Sequence, residues 1–132
     1  MRPASPMMRF VALSVLLLLP AMARAQDQTI PVYFQPLKGG EFAPLNKAIA
    51  DALAQPPLEP ASRATPHAII VTVPDKVDVD HKRVSGTFYS FVTVFARDGN
   101  SLGQSQQNCG AANLSECTDQ LVLDVKSAAA PH

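Results

Sequence analysis

The sequence predicts an α+β fold: a small three- to four-stranded, mostly antiparallel sheet packed with two helices, in βαβββα order. Three observations carry that expectation. Residues 42–53 and 114–129 repeat apolar side chains at a helical period. Residues 30–34, 68–73 and 88–96 alternate, or run apolar and β-branched or aromatic, as strands do. Asp98-Gly99 follows the longest of these runs and marks a tight hairpin, because glycine supplies the positive φ such a turn needs.

The first 25 residues stand apart from the fold. Arg2 and Arg9 make a basic start, residues 10–19 are apolar apart from Ser14, and Pro20 leads to Ala23-Arg24-Ala25. A basic region, a short apolar run and a small-x-small cleavage site compose a secretory signal peptide. The apolar run has about half of the roughly 20 residues a spanning helix needs, so no stable membrane insertion is expected after cleavage. No cysteine lies beside the cleavage site to accept a lipid. Residues 26–132 are expected as a single small α+β domain with short flexible termini, since 107 residues supply one modest core and are too few for two. Without Arg2, Arg9 and Arg24, eight basic residues face eleven acidic ones, a net charge near −3. Such scattered, mild acidity excludes an electrostatic footprint for nucleic acid.

In chain order, Ile30, Val32 and Phe34 alternate with Pro31, Tyr33 and Gln35 in a first strand. Pro31 lacks an N–H for a ladder, which places the strand at an edge. Phe42, Leu45, Ile49, Ala52 and Leu53 share one side of a helix, Pro44 suits its first turn, and Pro56-Pro57 ends it. Residues 56–66 hold four prolines and read as an extended surface connector outside the sheet. A buried strand follows at 68–73, which Val77 and Val79 prolong or meet in a loose hairpin. The long strand 88–96 is apolar on both faces and is expected to be central and covered on both sides. Its partner, residues 101–109, has Leu102 as its one aliphatic side chain among serines, glutamines and an asparagine, and reads as a solvated edge strand. The last helix opens at Asn113 and Glu116, spaced as a capping box, and buries Leu114, Cys117, Leu121, Val125 and Ala128. Leu123 falls nearly opposite that stripe.

Two cysteines in an exported chain form one disulfide, Cys109 to Cys117. Their seven intervening residues do not fit the Cys-x-x-Cys spacing of a redox-active pair.

No catalytic, cofactor or metal site emerges from the remaining motifs. Gly99-Asn100-Ser101-Leu102-Gly103 matches a nucleophile elbow, but the only histidine after it is His132 and no amphipathic helix follows directly. Asp75, Asp78, Asp80 and His81 cluster beside Lys82 and Arg83, which fits a charged loop better than a calcium loop. Lys38-Gly39-Gly40 lacks the rest of a phosphate-binding loop.

The leading expectation is therefore a small, periplasmic or secreted, non-enzymatic protein that binds another envelope component, with no cofactor. The candidate contacts are Leu102, Gln104 and Gln106 on the polar strand and Leu123 on the last helix. The alternative is a small hydrolase-like or ligand-binding domain using Asp80, His81 and polar groups near Ser101. Oligomeric state is left open. The element order and export signal resemble the small amino-terminal domain of the periplasmic protein TolB and auxiliary domains of envelope lipoproteins. That resemblance implies fold alone, since fold does not carry function.

Overall fold

The computed structural model describes residues 28–130, so the expected signal sequence and His132 lie outside the described residues. The elements are β1 (Ile30–Phe34), a 3-10 turn (Gly40–Phe42), α1 (Ala43–Leu53), β2 (Leu58–Pro60), β3 (Ile69–Thr72), β4 (Asp78–Lys82), β5 (Gly86–Arg97), β6 (Asn100–Gly110) and α2 (Leu114–Ala129). The α+β class and the two helices agree with the expectation. The sheet is larger and mixed: six strands run β2-β1-β3-β5-β4, with β6 paired along β5. β1 pairs in parallel with β2 and with β3, while β3, β4 and β6 all pair antiparallel with β5.

Two expectations about proline are corrected here. β1 is interior, between β2 and β3, although it contains Pro31. Gln35 N donates to Val71 O at 3.0 Å, so the odd positions of β1 turn their backbone groups toward β3. The Val32↔Ile69 register puts Pro31 opposite Ala68, ahead of the first residue of β3. The missing N–H thus falls outside the ladder. The carbonyl it would have met, that of His67, instead accepts Arg97 Nε at 3.1 Å. The connector 56–66 likewise joins the sheet through β2. Ile30 N donates to Pro57 O at 2.8 Å and Ala61 N to Val32 O at 2.9 Å. Pro57 contributes only a carbonyl there, and Pro60 turns its nitrogen to the outer edge, where no donor is needed.

The third correction concerns cover. Both helices contribute to one buried cluster, and from β5 that cluster takes the odd-numbered Phe91 and Phe95. The even-numbered Val92, Val94 and Ala96 are half-buried on the opposite face of the sheet, outside the cluster. Helical cover is therefore one-sided. Leu45 and Ile49 of α1 and Leu121 and Val125 of α2 supply the helical half of the core, at the positions their periodicity predicts. Asn46 fixes the entry to α1: its side-chain Oδ1 accepts Leu37 N and its Nδ2 donates to Leu37 O, each at 2.9 Å.

β5 is longer than expected and serves three neighbours. β4 pairs with its first half, β3 with its last residues, and β6 with its whole opposite edge. The β5–β6 turn has positive φ at Asp98 and Gly99, 53° and 80°, the two-residue geometry whose twist matches a hairpin. At the start of α2, Asn113 makes no side-chain cap bond to the helix backbone. Its Nδ2 donates to Glu116 Oε2 at 2.9 Å and its Oδ1 accepts Ser115 Oγ at 3.1 Å, so the capping-box residues bond each other's side chains.

Candidate functional site

The candidate site is the outer edge of β6, and its chemistry follows from the parity of one ladder. Ala111 N donates to Thr87 O at 2.8 Å, and the pairs Cys109↔Tyr89, Gln107↔Phe91 and Ser105↔Thr93 continue that register. In an antiparallel ladder hydrogen-bonded pairs recur at every second residue. The odd positions of β6 are thus bonded to β5, and Gln104, Gln106 and Asn108 turn their N–H and C=O groups outward. Among the described residues no strand pairs with that side. At the end of the open edge Asn113 N donates to Gly110 O at 3.0 Å.

The outward residues are also exposed through their side chains, on the face away from the helices. Gln104 lies beside Val94 and Gln106 beside Val92, and Asn108 accepts Ser90 Oγ at 3.0 Å. From Asn100 to Gly110 the strand contains no charged residue and no proline. Edge strands are commonly blunted by charge, proline or cover, and this stretch carries neither charge nor proline. A groove of about 580 Å³ opens beside its end, lined among others by Gln106, Asn108, Asn113, Glu116 and Gln120, with Phe88 on the sheet side.

The odd face of β6 is closed. Gln107 is 2% exposed and Thr93, opposite it on β5, is fully buried, which corrects the reading of β6 as solvated throughout. α2 covers this face, and Asp124 on it collects the buried polar groups. Ser105 Oγ donates to Asp124 Oδ2 at 2.8 Å, Gln107 Nε2 donates to the same oxygen at 3.0 Å, and Gln120 Nε2 donates to Oδ1 at 3.1 Å. Thr93 Oγ1 lies 3.1 Å from Ser105 Oγ. The sequence signal for this network was Thr93 inside an apolar strand and Asp124 on the flank of a helical apolar stripe. The disulfide Cys109–Cys117 ties the end of β6 to the first turn of α2, with 5.2 Å between the Cα atoms. It anchors the helix that backs the edge.

The other two candidate contacts differ from each other. Leu102 sits at the irregularity of the β5–β6 ladder next to Phe95 and Ala96, half-buried and packed against the core. Leu123 is 58% exposed on α2.

The hydrolase-like constellation is not assembled. His81 pairs with Thr87 near one end of β5, and Ser101 pairs with Ala96 near the other. Nine residues of strand between those levels amount to about 30 Å at the usual rise. His81 Nδ1 is bonded to Thr87 Oγ1 at 2.9 Å, and Asp80 lies 3.9 Å from Lys82. Among the described residues no three His, Cys, Asp or Glu side chains gather as a metal site. A histidine–carboxylate pair absent from the sequence reading does form: His67 Nδ1 lies 2.9 Å from Asp98 Oδ2, at the surface. No hydroxyl or thiol hydrogen-bonds its other ring nitrogen among the described residues. A more open cleft of about 840 Å³ lies at the far ends of β1 and β3, with Phe42, Val73 and Val77 in its walls and Lys38, Glu41 and Asp75 among its polar lining.

No family model matches the chain, and no curated protein matches it in sequence. Among solved structures it is similar to a minor lipoprotein from Acinetobacter baumannii, at 7% identity and a TM-score of 0.43, covering 74% of this chain and 92% of that one. It is also similar to a protein from Caulobacter crescentus described as a lipoprotein, at 12% identity and a TM-score of 0.44, covering 71% and 86%. At scores this low the likeness carries neither a fold assignment nor a function. Among the described residues no helix is long and apolar enough to cross a membrane.

Proposed function

We propose that this chain is a small exported, non-enzymatic binding module of the bacterial envelope that accepts an extended segment of another envelope protein on the outer edge of β6. The observation that supports this reading is the row of outward backbone groups at Gln104, Gln106 and Asn108, on a strand free of charge and proline. Strand addition draws affinity from main-chain hydrogen bonds and selectivity from alternate side chains. Here the added strand would lie with one row of side chains over the amides and the other toward α2. The signal sequence and the disulfide fit an oxidising compartment outside the cytoplasm.

Gln106→Pro tests the mechanism, because it removes one outward N–H and leaves the bonds to β5 in place. Affinity capture from an envelope extract should recover partners with the native chain and lose them with the variant. An unchanged set of captured proteins would sink the proposed contact.

A further inference from the structure

We infer that in the absence of a partner strand the edge of β6 pairs with β6 of a second copy of this chain, about a twofold axis at Gln106. A second copy takes the place of the partner, so the pairing rests on β6 being a strand-accepting edge. Two unexplained surface features, the bare edge and the exposed Leu123, meet in one interface on this geometry.

The edge is self-complementary. Its three outward residues are spaced by two and centred on Gln106. Antiparallel self-pairing sets Gln104 against Asn108 of the second copy, Asn108 against Gln104, and Gln106 against its counterpart. Each of these is a hydrogen-bonded pair exchanging both N–H···O bonds, about six new bonds in all. The ladder has natural ends, since Gly110 already gives its carbonyl to Asn113 and the β5–β6 irregularity disturbs the strand near Leu102. Side-chain amides carry a donor and an acceptor each, so like can face like without mismatch. An uncharged strand also meets its own copy without repulsion.

Leu123 stands at the level of the same axis. Its neighbour Asp124 accepts from Ser105 and Gln107, the two residues flanking Gln106. A twofold between paired antiparallel strands runs perpendicular to the sheet, so both copies of α2 lie on one face and run antiparallel. Leu123 of one copy then approaches Leu123 of the other. Gln120 and Ser127 share its side of the helix and are uncharged. The acid on that side, Glu116, lies one and a half to two turns away, which holds the two copies of Glu116 about 21 Å apart along the helices, beyond the screening length at physiological salt.

Sedimentation equilibrium of the oxidised mature chain tests the pairing. The native chain should associate to a dimer, and Gln106→Pro and Leu123→Glu should each weaken it by roughly tenfold or more, about 1.4 kcal/mol. Leu123→Glu changes an exposed residue and keeps the fold, which circular dichroism would verify. A monomer at every concentration, or a dimer indifferent to both variants, would overturn the self-pairing. Envelope capture separates the two ideas. A monomer whose capture still depends on Gln106 removes the second copy and leaves strand addition standing, whereas capture and association both indifferent to Gln106→Pro remove both.

Discussion

A buried amide and an exposed one stand side by side in this protein, and the difference between Gln107 and Gln106 is one of parity. Gln107 points under α2, where burial without partners would cost about 1–3 kcal/mol, and Asp124 meets it. The same carboxylate accepts from Ser105 and Gln120, so its removal strands two inward-facing donors at once. Asp124→Ala is accordingly expected to lower stability by about 1–3 kcal/mol, with Asp124→Asn retaining part of the loss through its amide oxygen. Urea denaturation reads this as a shift of midpoint at constant slope. An unchanged midpoint for Asp124→Ala would mean that water serves those donors equally well. The sequence showed a polar strand, but a run such as Gln104-Ser105-Gln106-Gln107-Asn108 holds no hydrophobic contrast from which to read which residues turn inward.

At the scale of elements, strong periods were legible and short pairings were not. α2 was expected with the observed bounds, and α1 buried the stripe its sequence displays. β2 has three residues, too few for a period, and two prolines near it argue locally against a strand. Only its parallel register with β1, set by residues far away in sequence, puts those prolines where no donor is required. β4 was half visible for the opposite reason: Val77 and Val79 alternate, but whether they extended β3 or formed a new strand depended on β5. The edge assignment of β6 makes a sharper prediction at this scale. Proline at 106 should cost little, because that N–H points outward. Proline at 107 removes a ladder donor and the buried amide together, and should destabilise by about 3 kcal/mol or more. Thermal melts of the two variants decide it, and equal losses would contradict the parity on which the binding edge depends.

For the molecule as a whole, the proposed route of export and the stability of the binding edge meet in the disulfide. Cys109–Cys117 closes a short loop, and chain entropy gives such a closure about 2.5 kcal/mol, a substantial share of the roughly 5–15 kcal/mol that holds a small domain together. The helical half of the core reaches the sheet beside this bond, with Cys109 and Cys117 themselves in the buried cluster. The compartment therefore matters to the fold. Produced with its first 25 residues in a bacterium, the chain is expected in the periplasmic fraction, beginning at Gln26 and free of thiols. Produced from Gln26 onward in a reducing cytosol, it should carry two thiols and unfold with about 2.5 kcal/mol less stability, restored on oxidation. Intact-mass spectrometry with thiol labelling measures the cleavage and the bond together, and denaturation of both forms measures the difference. A periplasmic chain that begins elsewhere would overturn the cleavage site. Two free thiols in that chain would show that α2 is held on the sheet by packing and the Asp124 network alone.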